Sequence, residues 1–113
     1  MKLLARLVVS TLALLLTAYI VPGFHVEGIQ AAIIAAVVLG LVNMFIKPIM
    51  TMITLPLTLL TLGLFTFVIN ALMLALTSFL VTGFDIDGVV PALLGALVMA
   101  IASTLISWLV PGD

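Results

Sequence analysis

Charged and imidazole side chains cut this chain into four uncharged runs, residues 7–24, 28–46, 48–84 and 88–112. A helix rising ~1.5 Å per residue crosses a ~30 Å hydrocarbon core in about 20 residues. The first two runs are therefore one span each, and the last has room for one, ended by Pro111 and Gly112. The third run is too long for one helix and barely long enough for two. Lys2, Arg6 and Lys47 are the basic residues, and the positive-inside tendency places all three in the cytoplasm. One crossing after Lys47 keeps Asp85 and Asp87 on the same outer face as Glu27; two crossings would part them. The third run thus predicts a single span over roughly 60–81.

The pattern also repeats. Val21, Gly23, Phe24, Gly28, Ala32, Ala36 and Val38 recur without a gap as Val81, Gly83, Phe84, Gly88, Ala92, Ala96 and Val98. A fixed-period repeat signals one structural unit per copy. The expected fold is an all-α membrane protein with four transmembrane helices, arranged as two tandem, parallel-oriented helical hairpins. The chain is one domain, 1–113, with repeat one at about 1–47, a connector at about 48–59 and repeat two at about 60–113. An even number of spans per copy keeps both copies in one orientation, related by an axis along the membrane normal.

In the connector, Pro48 and Pro56 each lack an N–H and restrict the preceding residue, so each marks a break. The segment from Lys47 to Gly63 is expected to lie along the cytoplasmic interface, with a re-entrant element covered by protein as the alternative.

Composition agrees with this reading. The chain is 66% hydrophobic and 6% charged, against about half and a quarter in soluble domains. There is no cysteine, which removes disulfides and thiolate metal sites, and the net charge of −1 gives no reason to expect nucleic acid. The start, with Lys2 and Arg6 before an apolar run, imitates a secretion signal. Residues 8–17 nevertheless match the internal stretch 68–77, and the segment is read as a retained first span.

Candidate chemistry is sparse. Ala32, Ala36 and Gly40, and in register Ala92, Ala96 and Ala100, form small-residue ridges that let helix backbones approach in lipid. The expected contact is between the second and fourth spans at the pseudo-twofold axis, with a subunit interface as the alternative. Asn43 and Asn70 are expected to hydrogen-bond between helices, and Leu at Gly40 or Asn70 to cause a packing defect. Lys47, one turn after Asn43, is expected to reach the headgroups. Ser10, Thr11, Thr17, Thr66, Asn70, Thr77 and Ser78 make the first and third spans the wetter pair.

The outer loops, Gly23 to Gly28 and Gly83 to Gly88, alternate apolar and polar residues between glycines. They predict short extended segments pairing across the pseudo-axis, with Phe24 and Phe84 in the membrane interface and Glu27, Asp85 and Asp87 in water. A functional alternative gathers His25, Glu27, Asp85 and Asp87 around a divalent ion, although no spacing demands it. No catalytic set, cofactor motif or small-molecule substrate site is legible, so the expected protein is not an enzyme and carries neither metal nor cofactor.

The string from Asn43 to Ala71 resembles the mycobacterial four-span phage holin family, superfamily IV. The likeness rests on Asn43…Lys47-Pro48, Leu55-Pro56-Leu57-Thr58, Thr61-Leu62-Gly63-Leu64-Phe65, Asn70-Ala71 and the two Gly-Phe loops, and it covers essentially the whole chain. It implies a small polytopic protein of the bacterial inner membrane that forms homo-oligomers in the bilayer and opens lesions there. The chain shows no clear departure from the family's pattern, but two absences count against the lesion. The chain ends Trp108-Leu-Val-Pro-Gly-Asp113 without a basic tail, and no span has a continuous polar face. A non-conducting envelope scaffold is the alternative, and a minimal transporter or channel ranks last.

Overall fold

The computed structural model describes residues 2–109. The ending of the last span at Pro111 and Gly112 lies outside the described residues. The elements run α1 (Lys2–Ile20), β1 (Phe24–Val26), α2 (Gly28–Phe45), α3 (Lys47–Ile53), α4 (Leu55–Leu60), α5 (Phe65–Leu80), β2 (Phe84–Ile86) and α6 (Val89–Leu109). This is an all-α membrane protein apart from one two-stranded ladder. Helices α1, α2 and α6 are long and apolar enough to cross a bilayer, and α5 is a shorter apolar helix. Only 28% to 33% of each long apolar stretch is buried inside the protein. The remaining apolar surface, including Leu12, Leu16, Leu41 and Leu97, is suited to lipid tails and to no aqueous solvent.

The four long helices close a ring in which α1 packs against α2 and α6, and α5 packs against the same two. The second and fourth apolar spans are α2 and α6, and they lie on a diagonal. This corrects the expected contact between them. Ala32, Ala36, Ala92 and Ala96 are buried, but in a core shared with α1 and α5. Gly40 and Ala100, at the inner end of each ridge, are exposed. A Cβ built on Gly40 meets nothing within 4 Å, so the bundle has room there for an alanine.

Burial recurs along the chain. Val9, Thr11, Ala13, Leu14, Thr17, Val21 and Phe24 are buried, and so are Ile69, Ala71, Met73, Leu74, Thr77, Val81 and Phe84, each sixty positions on. The buried hydroxyls do not make a wet path. Thr11, Thr17 and Thr77 donate to Leu7 O, Ala13 O and Met73 O at 2.8, 2.6 and 2.8 Å, the i−4 back-bond open to a helical threonine. Ser78 likewise donates to Ala75 O at 2.8 Å. The expected wetter pair, α1 and α5, is therefore a diagonal pair whose buried hydroxyls are spent on their own backbones.

In the connector, helices end at Phe45 and Ile53, just before Pro48 and Pro56, and one expectation, the start of the third span, changes. Pro48 and Pro56 each sit in the first turn of a short helix, α3 and α4, where the missing N–H costs no intrahelical bond. The third span starts at Phe65 instead of near residue 60 because Leu62 and Gly63 both take left-handed backbone, φ 58° and 91°, which a continuing right-handed helix cannot include. At 16 residues, α5 is about 24 Å long.

Candidate functional site

The end of the bundle that carries both Gly-bounded loops is closed by a β-clasp. Strands β1 and β2 pair antiparallel with His25 opposite Asp85. Two further ties flank them: Glu27 N–H donates to Gly83 O and Asp87 N–H to Gly23 O, both at 2.8 Å. Side chains alternate across a strand, so the odd positions face out and the even ones face in. Phe24 and Phe84 are fully buried and meet edge-to-face, with ring centroids 5.2 Å apart. Their expected place in the membrane interface is thus corrected: the pleat turns them onto the helices, and Gly95 of α6 makes room. A Cβ on Gly95 would lie 2.6 Å from Phe24 Cε2. Gly28 opens α2 and Gly88 directly precedes α6.

On the outer face, His25 Nε2 and Asp87 Oδ2 are 3.2 Å apart, with both side chains more than half exposed. A pair this open contributes at most about 1 kcal/mol. Glu27 and Asp85 are also exposed, and no group of three potential metal ligands converges among the described residues.

The half of the bundle away from the clasp holds the carboxamides. Asn43 of α2, Asn70 of α5 and Ser103 of α6 line one cavity of about 130 Å³, with Leu39, Leu74 and Met99 among its apolar walls. Asn43 is exposed and Asn70 half-buried. The direct interhelical bonds expected of them give way to a shared wall, because neither amide is sealed away from the inner surface. A cavity this small takes a few waters and falls below the ~300 Å³ of ordinary ligand pockets. Lys47 is half-buried at the start of α3. Thr51, Thr54, Thr58 and Thr61 are half-buried along the connector, whereas Ile49, Met52, Ile53, Leu59 and Leu60 are exposed. The connector therefore turns its hydroxyls inward and its bulk outward, with Thr54 and Thr58 donating to Met50 O and Thr54 O.

The family described as mycobacterial 4 TMS phage holin, superfamily IV, matches residues 1–105. The chain belongs to this family. Among its relatives, an uncharacterized protein of Streptomyces coelicolor is 49% identical over 86 residues, 72% of this chain and 69% of its own. The uncharacterized membrane protein YvlD of Bacillus subtilis is 39% identical over 101 residues, 88% of this chain and 85% of its own. No solved structure matches.

Within this holin-like chain, two contacts and one exposed aromatic pair were not legible as such in the sequence. Pro91 sits against Gly23, Gly95 against Phe24, and Tyr19 and Phe79 stand exposed at the outer ends of α1 and α5. An aromatic at that level suits the headgroup boundary. The signal for the last pair was available, since Tyr19 and Phe79 stand sixty residues apart. The first two join different repeats and leave no mark in either one.

Proposed function

We infer that this chain is a non-enzymatic, holin-like protein of the bacterial inner membrane that acts by associating with copies of itself, a single bundle being closed and non-conducting. In this reading the chain crosses four times as two tandem, parallel-oriented hairpins, about 1–47 and 60–113. Both termini are cytoplasmic, and the connector at about 48–59 lies in the inner interface. The antiparallel meeting of the two outer loops supports the even number of crossings between them. The observation that carries the closed bundle is its filled middle. Ala13, Leu14, Ala35 and Ile69 are wholly buried there, and among the described residues no buried side-chain N or O lacks a partner. Ion passage needs a continuous polar lining, and one bundle supplies none, so any lesion requires several copies. The scaffold reading is favoured by one feature, the apolar outer surface of all four long helices, which offers no polar stripe to line a hole.

Dye release from liposomes separates the two. Self-association predicts leakage that rises as a steep power of the protein-to-lipid ratio and is graded by dye size. Leakage proportional to protein from the lowest loading would contradict the closed bundle. Tight liposomes at high loading, with helical protein confirmed by circular dichroism, would leave the scaffold.

A further inference from the structure

The second hairpin has a groove on its lipid-facing side. Between α5 and α6, reaching the end of β2, lies a cavity of about 730 Å³, well within the ~300–1,000 Å³ of ligand sites. Its floor is set by Ala71, Ala75 and Ser78, its far wall by Leu93, and its outer mouth by Asp85 and Val89. The floor is low because of the residues chosen. At the positions sixty earlier the first hairpin has Thr11, Leu15 and Ala18, so a leucine is replaced by Ala75. Ser78 has spent its hydroxyl on Ala75 O, which leaves the trough apolar and Asp85 as the charge at its mouth.

We propose that this groove seats one acyl chain of a phospholipid whose primary ammonium headgroup meets the Asp85 carboxylate. Length selects a lipid chain over a helix of a second copy. Along α5 the trough runs from Ser78 to Val68, about 15 Å at the helical rise and so half of a ~30 Å hydrocarbon core. That is one leaflet, whereas a partner helix would need the full depth. Charge selects the headgroup. Asp85 stands beside Glu27 and Asp87 on the clasp, and His25 is turned to Asp87 at 3.2 Å. Anionic headgroups are repelled from such a cluster. A second copy in the same orientation offers no lysine or arginine at that height, because Lys2 and Arg6 begin α1 and Lys47 begins α3, all at the other end of the bundle, and its one imidazole, His25, faces its own Asp87. This assignment is independent of whether copies assemble or conduct.

The test is native mass spectrometry of the full chain released from vesicles of equal phosphatidylethanolamine and phosphatidylglycerol. One phospholipid per chain is expected to remain bound, enriched in phosphatidylethanolamine by up to about fivefold, the scale of a solvent-screened charge pair. Ala75→Leu installs the first hairpin's own residue and is expected to empty the groove with the circular dichroism melt unchanged. Ala71→Thr, which installs the residue at the matching place in the first hairpin, is expected to reduce lipid retention as well, with a lowered melt because Ala71 is buried. Asp85→Asn is expected to keep a lipid but lose the headgroup preference. Equal or reversed retention by the parent chain, retention indifferent to Ala75→Leu and Ala71→Thr, or a lipid-free dimer abolished by Ala75→Leu would each overturn the proposal.

Discussion

Replacing Phe24 with alanine is expected to lower the unfolding free energy in mixed micelles by about 2–4 kcal/mol, below the ~3–5 kcal/mol of a soluble core because lipid tails are themselves apolar. The ring is almost wholly buried and holds two contacts at once, Phe84 edge-on and the bare backbone of Gly95. Edge-to-face pairing accounts for only about 0.5–1.5 kcal/mol, so most of the loss is the cavity left over α6. Gly95 has no side chain to fill it. The converse substitution, Gly95→Ala, puts a Cβ 2.6 Å from the ring. Its overpacking cost of about 1–3 kcal/mol at least offsets the ~1 kcal/mol that alanine gains over glycine in a helix. Chemical unfolding followed by circular dichroism measures both. A Phe24→Ala change no larger than the ~0.5 kcal/mol of an ordinary surface substitution would contradict the packed cap.

Gly23→Ala is the second large effect, about 2–4 kcal/mol by adding a left-handed backbone cost to a steric one. Gly23 sits at φ +87°, and its added Cβ would lie 2.8 Å from Pro91 Cγ. Gly28 separates the two contributions. It has φ +83° with nothing within 4 Å, so Gly28→Ala carries only the backbone cost of about 1–2 kcal/mol. Pro91→Ala restores the residue found sixty positions earlier, Ala31, and in the double variant it is expected to recover the steric part. Equal losses for Gly23→Ala and Gly28→Ala would show that the clasp does not press on α6.

Much of this architecture was legible before the structure. The membrane class follows from composition, and its helices from the lengths of the uncharged runs. The loops, bounded by Gly23 and Gly28 and by Gly83 and Gly88, carry strand alternation that the structure realises as β1 against β2. What stayed hidden depends on which helix meets which. A ridge such as Ala32 and Ala36 says that something packs closely, not what, and the neighbours turned out to be α1 and α5. Phe24 and Phe84 could face headgroups or helices by pattern alone, and for Phe24 it is Gly95, in the other half of the chain, that makes room on the helices. The late start of α5 turns on Leu62, a non-glycine residue in left-handed backbone that no propensity would place there. Asn43 and Asn70 were legible as unusual, but their common cavity requires α2, α5 and α6 together.

The central claim is that the two outer loops close one bundle from the same side of the membrane. The chain has no cysteine, so a pair introduced by His25→Cys and Asp85→Cys can be followed without background. Directly opposed residues in an antiparallel ladder have Cα atoms about 4.5–5.5 Å apart, within the ~4.4–6.8 Å a disulfide spans. Mild oxidation in intact membranes is expected to give a reducible cross-link within single chains, visible as a faster-migrating monomer. Free thiols after oxidation, or cross-links only between chains, would contradict the clasp and with it the even number of crossings between the loops.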